Sequence, residues 1–438
     1  MSGNHGLYDL WVVKLNTRGG ALTWQRCLGG TSLDRAYDVR QTSDGGYVVV
    51  GNTKSVDGDV SGNHGGYDAW VVKLNSNGEI TWSHCLGGSG IDEACGVRQT
   101  ADGGYIIAGD TASIDGDVVG KCSGGDSDGW VVKLNSDGAI VWQSCLGGTE
   151  DDAVSGIRQI ADGYVVAGYT FSNDGDVSAN HGRSDVWVVK LNTDGEIVWQ
   201  SCLGGSDNDY VTKKSSSGIQ QTLDGGFIVA GHTCSNDGDV SGIHNVDKTD
   251  GWVVKLDCDG ALTWQRCLGG SSNYDQLSSV CQTADGEYLV GGYAMSNDGD
   301  LSDNHGNKDG WVVKLNGDGD RVWQRCFGGF DYDNVRSVCQ TRDEGYLLIM
   351  ATSSTDGDVS DPPLGSTDFW IVKLEGNGTV PPTGLSFAPP TPAEIGPGGG
   401  AAEVSIMLDS LPPAACRVQP DRDACRRIGG RDHGGILP

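Results

Sequence analysis

The chain has 438 residues, with 71 glycines and 13 tryptophans against 12 prolines and 6 phenylalanines, a composition of many turns and strands rather than helices. Its 59 acidic and 30 basic residues leave a formal charge of −29, which disfavours nucleic acid or an anionic membrane as partner and leaves cations, proteins and neutral glycans open. No apolar run approaches the roughly 18 residues of a membrane helix, so no transmembrane segment is expected.

From the N-terminus onward, the phrase Trp-Val-Val-Lys-Leu recurs at Trp11, Trp70, Trp130, Trp187, Trp252 and Trp311, and at Trp370 with Ile371 in place of one valine. The spacing stays between 57 and 65 residues, so the chain is an array of one repeated unit. The opening Ser2-Gly3-Asn4-His5-Gly6 matches Ser61-Gly62-Asn63-His64-Gly65, which predicts that the chain starts inside a repeat and that upstream sequence, any export signal included, is missing.

Within one unit, four short strands are predicted: 96–100, 105–109, 130–134 and 140–146, each bounded by Gly, Asp, Asn or Ser. The turns 101–104 (Ala-Asp-Gly-Gly) and 135–138 (Asn-Ser-Asp-Gly) join them in pairs as tight hairpins, and a long acidic loop connects the pairs. Four antiparallel strands per unit without a helical period predict an all-β β-propeller of four-stranded antiparallel blades. Six blades are expected, with seven as the alternative count, the ring being closed by N- and C-terminal strands that share a blade. Residues 333–352 and 8–30 are expected to share it, which leaves the strand at Trp370 over; it either displaces the N-terminal copy or opens a seventh blade.

Both faces of Trp-Val-Val-Lys-Leu are largely apolar, as for a sheet packed between two others. The lysines Lys14, Lys73, Lys133, Lys190, Lys255, Lys314 and Lys373 therefore need a partner, and Asp34, Asp92, Asp152, Asp209 and Asp333, recurring just after each Gly-Gly, are the expected carboxylates. Cys27, Cys85, Cys145, Cys202, Cys267 and Cys326 share one position per unit and are expected as small buried hydrophobes rather than disulfides. Arg40-Gln41, Arg98-Gln99 and Arg158-Gln159 fall on the expected innermost strand, where they could line the axial channel and grip a glycan or a carboxylate.

After the propeller, expected at 1–378, residues 379–400 form a Pro/Gly-rich linker. The remainder, 401–438, is expected as the truncated start of a β-sandwich-like module, with a strand near 402–408, followed by an arginine-rich disordered tail.

The wording Asp-x-Trp-Val-Val-Lys-Leu-Asn, then Trp-x-x-x-Leu-Gly-Gly-Ser, then Asp-Gly-Gly-Tyr-x-x-x-Gly-x-Thr resembles the SBBP-type propeller repeat over residues 2–376. Such repeats occur in large secreted or surface proteins of bacteria and methanogenic archaea. The resemblance implies an extracellular or cell-surface role in adhesion or assembly, and a cohesin-like module beginning in 383–411; it carries over no catalytic residue.

The acidic loop offers the one motif with chemistry in it. Asp57, Asp59 and Ser61, with Gly62 next and Asp68 eleven residues after Asp57, match the ligand spacing of a calcium loop of about twelve residues. The same set recurs at Asp174, Asp176, Ser178 and Asp185, at Asp298, Asp300, Ser302 and Asp309, and, with two extra residues, at Asp237, Asp239, Ser241 and Asp250. Calcium is the cofactor expected of such loops; the opposing reading is ordinary Asx turns that satisfy their own backbone. His5, His64, His181 and His305 in the same loops are read as hydrogen-bonded turn residues.

Near-identical blades favour a non-enzymatic extracellular or cell-surface interaction and adhesion scaffold, a monomeric propeller presenting its loops to a protein or glycan surface. A lectin-like propeller with one weak site per blade is the alternative from a second class, and exposed tryptophans would favour it. A glycan-processing enzyme with its site at the central channel is a third, and the irregular stretch Tyr210–Ser217, beside the longer loop at Ile243–Lys248, is where a specialised site would lie.

Overall fold

The computed structural model describes residues 5–16, 22–120, 127–213, 215–272, 274–359 and 367–380, together with the backbone strands Ser386–Phe387 and Val404–Leu408. Most of the expected linker and of the C-terminal module lies outside the described residues.

Six antiparallel four-stranded blades form a ring, and no helix occurs among the described residues. The blades run in chain order over 34–86, 92–146, 152–203, 209–268, 276–327 and 333–387, each a meander whose first strand is innermost. In the fourth blade the innermost strand is broken into Asp209–Tyr210 and Ile219–Gln221, both paired to Phe227–Thr233.

The ring closes through N- and C-terminal strands, but not those expected. Leu10–Leu15 and Leu22–Leu28 do not join 333–352; they form a separate three-stranded sheet with Val404–Leu408, which runs parallel to Leu10–Leu15. The strand at Trp370, Asp368–Leu374, holds the third place in the sixth blade, beside Tyr346–Thr352. The tie is local: Asp368–Leu374 follows its partner within the same repeat, so loop closure favours it over a hairpin more than 300 residues away. The closing sheet is packed on both sides, with Leu10, Val12 and Leu28 against the first blade and Trp11, Val13 and Leu15 against Phe369 and Ile371 of the sixth.

Sheet-on-sheet packing explains the repeat's composition. Trp70, Trp130, Trp187, Trp252 and Trp311 are fully buried between blades, each with the valines of its own strand. Most of the indole N–H groups find a glutamine on the neighbouring strand, as in Trp130 Nε1 to Gln143 Oε1 at 2.8 Å and Trp187 Nε1 to Gln200 Oε1 at 2.8 Å. The second tryptophan of each unit lies across a turn glycine of the next blade: a Cβ on Gly195 would come within 2.6 Å of the Trp142 ring.

Candidate functional site

Strand register places Asp34, Thr53 and Asp68 side by side at one end of the first blade, and the second, third, fourth and sixth blades repeat the rung, while in the fifth Ala294 stands opposite Asp309 in place of the threonine. At this end lie the Gly-Gly connector from the preceding sheet and the acidic loop. Asp57 Oδ1 accepts from Thr31 N at 2.7 Å, Asp59 N donates to the Gly29 carbonyl at 2.9 Å, and Gly29 N donates back to Asp59 Oδ2 at 3.2 Å. Gly58, at φ 67°, makes the turn, and a Cβ there would stand 2.4 Å from the Gly29 oxygen. The loop is thus a latch that clamps the incoming connector. Asp174, Asp237 and Asp298 accept from Thr149 N, Ser206 N and Ser271 N at 2.7–2.8 Å, and the amides of Asp176, Asp239 and Asp300 donate to Gly147, Gly204 and Gly269.

The other residues of the calcium-like spacing go to different stations. Ser178, Ser241 and Ser302 accept from Gln200, Gln265 and Gln324 on the outermost strand, while Ser61 is exposed. Asp68, Asp185, Asp250 and Asp309 are buried and bind histidines, at 2.7 Å from His64 Nδ1 and 2.6 Å from His181, His244 and His305 Nδ1. The histidines are therefore hydrogen-bonded turn residues, and His244 in the longer loop belongs with them. Among the described residues, the three acidic, thiol or imidazole groups that converge within 4.8 Å are instead Glu93, Cys95 and Asp110. There Asn52 Nδ2 already reaches Glu93 at 2.6 Å, and Lys213 pairs with Asp110 at 3.0 Å.

The aspartates after Gly-Gly do not hold the strand lysines. Asp34 is buried and accepts from Gly30 N and Ser55 Oγ, both at 2.8 Å, and from Thr53 Oγ1. The lysines sit at the opposite end of the blade and pair with the aspartate of the first hairpin turn: Lys73 with Asp44 at 2.8 Å, Lys133 with Asp102 at 2.9 Å, Lys190 with Asp162 at 2.9 Å, Lys255 with Asp224 at 2.8 Å and Lys373 with Asp343 at 2.6 Å. Lys314 has both Asp285 and Glu287. Burial is the largest single influence on Asp44 and would raise it, yet hydrogen bonds from the lysine and the turn together outweigh burial and hold Asp44, Asp102 and Asp343 down at about 2.

The departure from repetition is on the axis. Arg40, Arg98, Arg158, Gln220, Cys281 and Cys339 occupy one register position on the six inner strands, so three cations line one arc and uncharged groups the rest. The glutamines beside them brace the neighbouring hairpin, as Gln99 Oε1 does by accepting from Ser43 N at 2.7 Å. Residues 211–213 and 215–218, which interrupt the fourth blade's inner strand, enter the channel as a plug. Ser216 is buried and accepts from Arg40 Nη2 at its Oγ (3.2 Å), and from Arg98 Nη2 (3.3 Å) and Arg158 Nη1 (3.1 Å) at its carbonyl. On the far side Ser215 Oγ donates to Ser278 O at 2.6 Å, and Val280 N donates to Ser217 O at 2.9 Å. The sequence marked this stretch as irregular and as the place for a specialised site; its partners are on four other blades.

No protein-family model matches the chain. A curated relative, the regulatory protein FlaEY of Caulobacter vibrioides, is 24% identical over 397 residues, 83% of this chain; the chain spans 40% of that protein's length. Among solved structures, BamB from Moraxella catarrhalis is similar at a TM-score of 0.41 and 15% identity, covering 87% of this chain and 88% of that one. The WD40 domain of Neurospora crassa Pan2 gives a TM-score of 0.43 at 10% identity, covering 78% and 87%. The β-propeller domain of the Trilobed protease from Pyrococcus furiosus gives 0.36 at 12%, covering 77% and 80%. The propeller assignment rests on this chain's own strand pairing.

Proposed function

We propose that the protein is a non-enzymatic interaction scaffold, extracellular or on the cell surface, which binds a partner protein through the face that carries the connectors and acidic latches. One observation carries this reading: Val56, Ile91, Ile114, Tyr274, Phe330 and Tyr332 are all more than half exposed among the carboxylates of that face. Apolar groups ringed by charge are what a protein interface uses. The extracellular placement rests on the resemblance to SBBP-type repeats, and the designation of FlaEY as a regulatory protein fits a role exercised through binding. Calcium belongs to the proposal as a ligand of the exposed carboxylates on this face.

The burial of the Trp-Val-Val-Lys-Leu tryptophans, which offer no platform to a sugar, supports a protein partner over a lectin, while the second tryptophan of each unit is half-buried against a turn glycine. The plugged channel supports a scaffold over a glycan-processing enzyme with an axial site. The test is cross-linking of the purified chain to its producing cells, beside a variant carrying Val56→Ser, Ile114→Ser and Tyr332→Ser. Loss of the cross-linked partner with an unchanged melting temperature supports the reading. Binding on a glycan array, or turnover of a glycan, would instead select one of the other two classes.

A further inference from the structure

We propose that the axial channel contains an oxyanion site, in which Arg40, Arg98 and Arg158 take a doubly charged carboxylate, phosphate or sulfate beside the plug. The case starts from charge. Three guanidiniums converge on one serine, and the carboxylate that faces them is Asp38, 3.1 Å from Arg40 Nη2 and 2.7 Å from Arg98 Nη1. Three positive charges against one negative leave two uncompensated.

Arg158 is the most exposed to this imbalance in energetic terms. Its donors reach only carbonyl oxygens, Ile157 O at 2.8 Å and Ser216 O at 3.1 Å, and no carboxylate lies within ion-pair distance of it among the described residues. Arg40 Nε is likewise buried without an acceptor. A desolvated guanidinium is stable when a carboxylate or phosphate meets its fork of donors, and carbonyl dipoles replace that anion poorly.

The titration of the cluster agrees with the geometry. Burial, and then the charge of Arg40, outweigh Asp38 and bring Arg98 down to about 10, while burial with Arg98 and Arg40 lowers Arg158. Burial alone would raise Asp38, yet the two arginines hold it below the usual carboxylate range, so it stays a fixed anion and cannot relieve them by gaining charge. Access exists on the arginine side, where the Arg40 side chain is 36% exposed. The rest of the ring position, Gln220, Cys281 and Cys339, adds no charge; burial raises both thiols, Cys339 to about 12.

The site is separate from the partner-binding face and stands or falls independently of it. The experiment is calorimetric titration of the full chain, exchanged into chloride buffer at fixed ionic strength, with succinate, phosphate and sulfate in separate arms and acetate as the singly charged control. Saturable one-to-one binding of at least one divalent anion is expected, and the arm that binds identifies carboxylate or inorganic oxyanion as its chemistry. Arg158→Gln should weaken binding by about tenfold or more, the loss of a charge-assisted pair. Asp38→Asn, which keeps an acceptor for Val97 N but removes the competing charge, should tighten it; Arg266→Gln on an outer strand should change nothing. Absence of saturable binding by the folded chain, or equal affinity in Arg158→Gln and wild type, would overturn the proposal.

Discussion

His181 Nδ1 lies 2.6 Å from the buried Asp185 Oδ2, and Asp209 of the next blade stands across Gly204 from the same carboxylate. Burial opposes the charge on His181, but the hydrogen bond and charge of Asp185, with Asp239 and Asp209, raise its pKa. Burial raises Asp185 as well and pushes Asp209 up to about 6. Both kinds of group bind protons on folding. The histidine's stabilisation is complete below its unfolded value of about 6.5 and is lost as pH rises through the folded pKa. The raised carboxylates likewise lose stability as pH rises from 3.8 toward 6. Asp44, Asp102 and Asp343 act the other way, since their stabilisation is present above 3.8 and lost as pH falls toward 2. Melting temperature should therefore peak at about pH 4, by these shifts taken together, and decline toward pH 8. Calorimetric scans across pH 3–9 check this, and a maximum at pH 8 would contradict it.

Calcium should raise the melting temperature of the whole chain more than magnesium does at equal ionic strength, and a chelator should reverse it. Replacing Asp59, Asp176, Asp239 and Asp300 by asparagine should remove the difference. Equal shifts from the two cations would reduce the effect to screening of a chain with charge −29.

Two aspartates that bind amides of the connector, Asp34 and Asp57, should differ sharply on truncation. Asp34→Ala leaves the buried Gly30 amide and the Ser55 and Thr53 hydroxyls without an acceptor, a cost of about 3 kcal/mol or more. Asp57→Ala removes bonds at an exposed site, where water takes over, at a much smaller cost. Urea unfolding of the two variants measures both, and equal losses would contradict the division of labour.

Gly109 faces a bulge in the neighbouring strand, and a Cβ there would stand 1.8 Å from the Glu93 carbonyl oxygen. Backbone cannot yield as a side chain would, so Gly109→Ala should cost at least about 3 kcal/mol and reduce soluble yield. Gly103→Ala meets no atom within 4 Å but needs φ of 84°, so its cost is conformational and nearer about 1 kcal/mol. The two urea midpoints separate steric from conformational demand.

The blades were legible because both hairpins carry their own turn chemistry and because Trp-Val-Val-Lys-Leu marks a strand covered on both faces. The lysine partners were not. Asp34 and Asp44 are equally plausible in one dimension, and only the meander puts Lys73 at the same end as Asp44. The acidic loops were ambiguous for a related reason: alternate oxygens after a tight turn suit a cation, and they suit the two amides of a Gly-Gly connector as well. Closure depended on whether the strand at Trp370 or the N-terminal hairpin would pair with Tyr346–Thr352, a competition that repeat identity leaves undecided and chain proximity settles. The channel arginines were visible as a run on the inner strand, but the convergence of three of them on Ser216 is a long-range contact with no local signal.

That contact alters how the ring can come apart. Stacked repeats ordinarily touch only their neighbours, so their unfolding can begin at any junction and spread. Here Ser216 bonds to Arg98 and Arg40, 118 and 176 residues distant, while Ser215 and Ser217 hold the fifth blade. Parting the sheets at one seam would unseat a spoke shared by five of the six blades. The segment that breaks the symmetry of the repeat is thus the hub through which separate blades become one cooperative unit.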